Sequence, residues 1–188
     1  MYKRHRIFIA INLPHEIKRE LANYQKKWPE LPAKWVKQEN LHITLIFLGE
    51  LTDLELGEVC FIVKNVVEKH KSFDLALSKV SYSPINKFPP KIIWALSDKS
   101  KNLSLIKNEL ENSLLEKINF RPENRGFKPH ITLARINSFG FRVIEPEERP
   151  EVNENIDLFF TVESIDVMES VLKCGGPQYT IIESHQLQ

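Results

Sequence analysis

Cysteine is scarce in this sequence of 188 residues. The two cysteines, Cys60 and Cys174, stand far apart, and neither belongs to a C-x-x-C pair. This spacing argues against a disulfide framework and against a structural zinc site. We therefore expect a protein of a reducing compartment, with the cytoplasm as its location.

Long apolar segments are also missing. No stretch approaches the roughly 20 apolar residues that span a membrane, so we expect no membrane association. The apolar run 7–13 follows a basic start in the manner of a signal peptide, but Asn12 and Pro14 interrupt the pattern and no small-residue cleavage site follows. A β-strand is the better prediction for this run.

The third absence is an excess of charge of one sign. Lys and Arg number 26 against 25 Asp and Glu, which gives a net charge of +1 and a pI near 7.8. Proteins that hold long nucleic acids mainly by neutralising phosphates are far more basic. The balance excludes that class, whereas a short RNA end or a nucleotide in a local basic pocket is compatible with it.

The sequence does contain a recurring order of strand and helix patterns. In the first part, strands are predicted at 6–12, 41–48 and 73–82, with one helix opening at Pro14 and another capped by Thr52 and Glu55. In the second part, strands are predicted at 92–96 and 129–135, with a helix between them that carries Leu103, Ile106, Leu110 and Leu114 on one face. An exposed connection is predicted over 139–155, followed by two closing strands at about 158–172 and 178–183.

The unit of strand, helix and histidine-bearing strand occurs twice, over 6–48 and over 92–136. Its near-equal spacing predicts two copies of one supersecondary unit that face each other across a cleft. We therefore expect a single domain over 1–188 with two pseudo-symmetric halves, about 1–83 and 84–188.

Each copy ends in the same tetrapeptide, His42-Ile-Thr-Leu45 in the first and His130-Ile-Thr-Leu133 in the second. Side chains alternate between the two faces of a strand. Each tetrapeptide therefore presents an imidazole and a hydroxyl on one face, with Thr44 beside the first histidine and Thr132 beside the second.

Two opposed imidazoles suit phosphodiester transfer without a metal or another cofactor. With unperturbed pKa values near 6.5, one histidine can accept a proton while the other donates one. The threonine hydroxyls can stabilise charge on phosphate oxygens. A lone histidine on a strand is usually structural, and a zinc site needs further ligands that this motif does not supply. The remaining histidines fall at termini or predicted helix ends, where we expect them to be solvated: His5, His15, His70 and His185.

The paired motif and its surroundings resemble the two-histidine phosphoesterases, in particular the RNA 2′,3′-cyclic phosphodiesterase (2′-5′ RNA ligase) family. The resembling segments are 6–11, 41–49, 88–94, 127–135 and 176–179, which together span nearly the whole chain. The resemblance implies a bilobal α/β (α+β) fold, in which two antiparallel sheets line a central cleft and the helices lie outside. It further implies His42 as proton donor and His130 as proton acceptor.

Arg135 matches an arginine of the family pattern, and a role in binding the phosphate follows from the resemblance. Strict alternation along the strand nevertheless places Arg135 on the face opposite His130, unless the strand bends or ends there. Lys91 stands where relatives often have arginine. Phe8 and Trp94 are candidates for stacking on a base, although strand aromatics more often belong to the core.

The expected activity is hydrolysis of an RNA terminal 2′,3′-cyclic phosphate to a 2′-phosphomonoester by a monomeric enzyme. Its substrates would be RNA 3′ ends or cyclic nucleotides. One alternative is 2′-5′ ligation of RNA halves, which uses the same acid, base and leaving 3′-oxygen. The other is a non-catalytic nucleotide- or RNA-binding module, which does not require two matched histidine and threonine pairs.

Overall fold

A computed structural model of the protein describes residues 4–85, 87–123 and 126–188. Its strands are β1 (His5–Asn12), β2 (Ala33–Trp35), β3 (His42–Leu51), β4 (Phe73–Ser83), β5 (Ile92–Ser97), β6 (His130–Ile136), β7 (Asn153–Val162), β8 (Ser164–Lys173) and β9 (Gly176–Gln186). Its α-helices are α1 (His15–Ala22), α2 (Asp53–Val67), α3 (Lys101–Leu115) and α4 (Ser138–Val143). None of the described helices has the length and apolar character needed to span a membrane.

The strands form antiparallel pairs in the order β7-β4-β5-β6-β3-β1-β8-β9, and β2 adds to β6. We call β3, β1, β8 and β9 the first lobe, and β2, β6, β5, β4 and β7 the second lobe. Within the described residues, the two lobes are paired through β3 and β6 at one position, where Ile43 faces Ile131. We call this pair the seam. The predicted α+β class is confirmed, and the two expected sheets are joined at the seam.

The lobes do not coincide with the two halves of the chain. Strand β4 belongs to the first half of the sequence but pairs with β5 and β7 in the second lobe. Strands β8 and β9 belong to the second half but extend the first lobe by pairing with β1. Each half of the chain therefore contributes outer strands to the lobe that contains the other half's histidine.

Helices α2 and α3 contact each other, α2 also contacts β1, β3, β8 and β9, and α3 contacts β3. The four apolar residues predicted for one face of α3 are fully buried. The capping box of α2 is present as predicted, because the Thr52 hydroxyl accepts a hydrogen bond from the Glu55 N–H and the Glu55 carboxylate accepts one from the Thr52 N–H. Helix α1 begins directly after Pro14, and a 3₁₀ turn continues it over Asn23–Lys26.

Three expectations about the fold were wrong. The segment 139–155 is not merely an exposed connection, because it contains most of α4 and the start of β7 and buries Phe141 and Val152 in the core. The closing strand predicted at 158–172 is two strands, which separate at Glu163. His5 and His185 are buried rather than solvated, and His5 lies between two carboxylates.

Candidate active site

The seam brings the four residues of the two tetrapeptides together. Because β3 and β6 run antiparallel about the pair of Ile43 and Ile131, His42 stands beside Thr132 and Thr44 beside His130. Both isoleucines are fully buried on the core side of the sheet. Their neighbours along each strand therefore face the opposite surface, which we call the groove.

Both histidine rings are held in the same way. The Nδ1–H of His42 donates to the Asn40 carbonyl at 2.7 Å, and the Nδ1–H of His130 donates to the Lys128 carbonyl at 2.7 Å. A neutral ring that donates from Nδ1 has its lone pair on Nε2. The two backbone carbonyls thus make Nε2 the nitrogen that is available for chemistry in each ring.

The two Nε2 atoms differ in their partners. Nε2 of His42 lies 3.0 Å from Oγ1 of Thr44, so the threonine hydroxyl donates to the neutral ring. Nε2 of His130 has no hydrogen-bond partner within the described part of the chain. A water molecule or a substrate atom can therefore approach His130 without displacing a protein group.

Burial lowers the pKa of both histidines. For His42, desolvation is the largest cause, the Asn40 carbonyl opposes it, and the positive charges of Lys18 and protonated His130 lower the pKa further. For His130, desolvation again dominates, while the Lys128 carbonyl and Glu123 oppose it. Both histidines are therefore more readily neutral when the groove holds no ligand. An anion bound in the groove favours protonation of at least one of the two rings.

Aromatic side chains pack against the two histidines differently. The ring of His42 contacts Phe8 and Tyr179, each at a centroid distance of 5.1 Å. Phe8 is itself buried against Tyr179, so it belongs to the packing around His42 and offers no free face to a base. Trp94 stacks on His130 with centroids 3.8 Å apart. A stacked indole stabilises an imidazolium ion, since its π face is negative.

Arg135 lies on the groove side of β6, which corrects the expectation from strict alternation. Trp94 pairs with Thr132, whereas two residues earlier on β5, Ile92 pairs with Arg135. One residue of β6, Leu133, is therefore extra, and such a β-bulge reverses the alternation beyond it. The Leu133 carbonyl accepts a hydrogen bond from the Val36 N–H at 2.8 Å.

Strand β3 contains a bulge at the equivalent place. Along β1, Asn12 pairs with His42 and Ala10 with Thr44, but Phe8 pairs with Phe47. Phe47 consequently lies on the groove side, and its side chain is 58% exposed. The two repeats thus share a bulge at the same place, but the residue that follows it on the groove side is Phe47 in β3 and Arg135 in β6.

A polar network beside His42 was not predicted from the sequence. Lys18 Nζ donates to Oδ1 of Asn12 at 2.8 Å and to the carbonyl of Glu39 at 3.1 Å. The Asn12 amide donates to Oδ2 of Asp166 at 3.2 Å, and Asp166 is 1% exposed. Asn12 and Asp166 are 154 residues apart, and no local pattern joins them.

The described residues contain no group of three or more His, Cys, Asp or Glu side chains placed to hold a metal ion. Cys60 and Cys174 are free, and burial raises the pKa of the Cys60 thiol to about 12, so it is a poor ligand and nucleophile at neutral pH. The side chains that β3 and β6 bring to the groove carry imidazole, hydroxyl and guanidinium groups.

A duplicated α+β fold with a histidine and a threonine on each side of one seam is the arrangement of a two-histidine phosphoesterase. The chain belongs to the LigT-like phosphoesterase family, whose pattern matches residues 11–94 and again residues 96–179. The predicted family is thus confirmed, and the two matches follow one another along the chain as the two predicted repeats do.

Relatives from other organisms resemble the chain over nearly its full length. A protein of Methanocaldococcus jannaschii named RNA 2′,3′-cyclic phosphodiesterase is 30% identical and aligns with 95% of this chain and 98% of its own. A Thermus thermophilus protein of the same name is 31% identical, with coverages of 97% and 90%. The expected type of enzyme agrees with these names.

Solved structures share the fold. The structure of TT0787 of Thermus thermophilus superposes with a TM-score of 0.84 at 28% identity, covering 97% of both chains. Escherichia coli LigT complexed with 3′-AMP superposes with a TM-score of 0.81 at 24% identity and 99% coverage of both chains, which supports the fold alone. The bilobal duplicated architecture is therefore confirmed.

Proposed function

We propose that this phosphoesterase hydrolyses terminal 2′,3′-cyclic phosphates of RNA to 2′-phosphomonoesters. The observation that carries the proposal is the pair of Nε2 atoms, one in each lobe, that backbone carbonyls leave available beside a shared seam. The names of the relatives define the substrate class. Attack of water on phosphorus forms one P–O bond, and loss of the 3′-oxygen breaks another.

His130 is the general base of this proposal. Its Nε2 is free of protein partners in the described structure and can take a proton from the attacking water. The ring becomes an imidazolium as the reaction proceeds. Trp94, stacked at 3.8 Å, stabilises that charge when it forms, which favours His130 over His42 for this role.

His42 is the general acid. In its protonated form, Nε2–H donates a proton to the departing 3′-oxygen, and Nδ1–H stays on the Asn40 carbonyl. The anionic phosphate offsets the burial that lowers the pKa of His42 in the free protein. Protonation of Nε2 also frees the Thr44 hydroxyl, which otherwise donates to that nitrogen.

Three further residues stabilise the phosphate. The hydroxyls of Thr44 and Thr132 donate to its non-bridging oxygens, where charge increases in the transition state. The guanidinium of Arg135, which the bulge turns toward the groove, donates two parallel hydrogen bonds to the same group. RNA 3′ ends and cyclic nucleotides are the substrates that this site accepts, and we further propose a monomeric, cytoplasmic protein.

The direct test supplies purified protein with an RNA that ends in a 2′,3′-cyclic phosphate, with and without an RNA bearing a 5′-hydroxyl. We expect a 2′-phosphate product in both mixtures, unchanged by a chelator, and a loss of turnover in His130→Ala but not in the exposed control His15→Ala. A 2′-5′ linked product would instead identify a ligase. No turnover of any cyclic end would leave the binding module as the remaining alternative.

A further inference from the structure

The second lobe contains a cavity of about 630 Å³ that the proposed chemistry does not use. Leu96, which lines the cavity, pairs directly with His130 and therefore lies on the groove side of the sheet. Lys79 and Ser81 of β4 line it from the adjacent strand, because they pair with Leu96 and Trp94. The cavity thus begins next to the proposed general base.

From that point the cavity extends along the sheet to the loop between β4 and β5, where Ile85 and Phe88 line it. The distance from Leu96 to the start of β5 at Ile92 is four residues, or about 13 Å at the usual rise of a strand. The cavity is therefore long enough to hold more than the group that reacts at the seam, and its volume is typical of a site for a nucleotide-sized ligand.

The cavity wall combines an exposed aromatic ring with positive charge. Phe88 is 61% exposed, and the guanidinium of Arg149 lies 4.8 Å from the centre of its ring. Arg149 is held in place because its Nε–H donates to the Ile144 carbonyl at 3.1 Å. Aromatic rings beside arginine are the usual platform on which single-stranded nucleic acids stack their bases.

The charges of the wall favour an anionic occupant. Lys79, Lys87 and Arg149 line the cavity, against one carboxylate, that of Glu151. None of these three cations forms an ion pair with another residue that the structure describes. Two lysines and an arginine whose charges are not neutralised by a described carboxylate suit a phosphodiester group.

The surroundings of the two histidines show on which side of the seam an RNA strand can continue. Phe8 and Tyr179 fill the space against His42 and pack with Ala10 and Met168. Beyond His130, by contrast, lies the cavity. A substrate whose terminal phosphate reaches both Nε2 atoms thus has open space for its 5′ portion on the second-lobe side.

We infer that this cavity is a subsite for the nucleotide immediately 5′ to the one that bears the cyclic phosphate, with its base on Phe88 and its phosphodiester near Lys79 and Arg149. The inference rests on the proposed hydrolysis of RNA cyclic ends. It makes the preferred substrate an RNA strand of at least two nucleotides rather than a cyclic mononucleotide.

The test compares a 2′,3′-cyclic mononucleotide with a dinucleotide that ends in the same cyclic nucleotide. We expect the wild type to show the higher kcat/KM with the dinucleotide. Phe88→Ala should lower kcat/KM for the dinucleotide by about 5- to 150-fold, the loss that one base–aromatic stack predicts, and leave the mononucleotide unchanged. Phe61→Ala is the matched control, because Phe61 is 64% exposed on α2, outside the cavity.

A double variant, Lys79→Gln with Arg149→Gln, tests the phosphodiester contact separately. We expect it to weaken the salt dependence of kcat/KM for the dinucleotide only. Equal kcat/KM for both substrates in the wild type, or equal effects of Phe88→Ala on both, would overturn the subsite and leave the hydrolytic function intact. Absence of turnover with both substrates in the wild type would instead reject the proposed function on which the subsite rests.

Discussion

Phe47 and Arg135 occupy equivalent positions in the two lobes, each five residues after a groove histidine and each turned into the groove by a bulge. The backbone is repeated at these positions, but the side chains are not: one lobe presents an aromatic ring and the other a guanidinium. The groove is therefore chemically asymmetric although the two tetrapeptides are identical. Because the guanidinium is positively charged, we expect an anionic phosphate to bind on the Arg135 side of the groove.

Replacing Arg135 should weaken the transition state. For Arg135→Gln we expect kcat/KM for a cyclic mononucleotide to fall by roughly 10- to 150-fold, because hydrogen bonds to charged groups contribute about 1.5–3 kcal/mol. Arg142→Gln, on the exposed surface of α4, is the control and should match the wild type. Wild-type kinetics in Arg135→Gln would show that the guanidinium does not reach the phosphate.

The threonine hydroxyls provide a second prediction. Thr44→Val and Thr132→Val preserve shape and remove the donor, so each should lower turnover by about tenfold or more. Thr180→Val, at an exposed position of β9, controls for the loss of a strand threonine. Steady-state kinetics on a cyclic nucleotide measures the effect, and unchanged rates in both groove variants would mean that the hydroxyls are structural.

The division of labour between the histidines can be measured with an activated substrate. A leaving group that needs little protonation should partly rescue His42→Ala, since that variant lacks only the acid. It should not rescue His130→Ala, which lacks the base. The two losses should also combine less than multiplicatively, because acid and base act in one step. Rescue of His130→Ala alone would reverse the assignment.

The pH dependence follows from the lowered pKa values. A bell-shaped profile of kcat/KM reports the acid and base of the free enzyme, and its maximum lies midway between their two pKa values. Burial lowers the pKa of both His42 and His130 below 6.5, so the maximum should lie on the acid side of pH 6.5. The maximum of kcat should lie higher, since bound phosphate favours the protonated acid. A kcat/KM maximum above pH 7 would contradict the burial of the rings.

The same shifts affect stability. With its pKa lowered in the folded state, each histidine binds a proton more readily in the unfolded chain, so unfolding takes up protons as the pH falls through 6.5. The free energy of unfolding should therefore decrease on acidification and level off, for these two groups, below their folded pKa values. In denaturant titrations between pH 7.5 and 5.5, the free energy of unfolding of the double variant His42→Gln with His130→Gln should change less with pH than that of the wild type. The difference is the contribution of the two histidines. The exposed control His15→Gln should follow the wild type.

The sequence predicted the four central side chains because strand alternation is a local rule. His42 and Thr44 share a face whatever lies around them, and so do His130 and Thr132. Strict alternation alone could not give the face of Arg135, because a bulge depends on the pairing partner, and β5 is brought to β6 only by the fold. The burial of His5 and His185 also depends on distant strands.

Boundaries in the last third of the chain were harder to predict for a related reason. Strands β7 and β8 are separated by Glu163 alone, without a glycine or proline to mark the turn. Their partners, β4 and β1, lie in different lobes. The β pattern of the sequence is continuous here, so it does not indicate the residue at which the chain passes from one lobe to the other.

The exchange of outer strands has a consequence for dissecting the protein. If the chain were cut between β4 and β5, the first fragment would keep His42 but would lack β8, the neighbour of β1. The second fragment would keep His130 but would lack β4, the neighbour of β5. Neither fragment is a lobe, so the two must associate by fragment complementation to rebuild one groove. By the same geometry, a half-length chain with one histidine and one threonine could form such a groove only as a strand-swapped homodimer with its twofold axis at the seam.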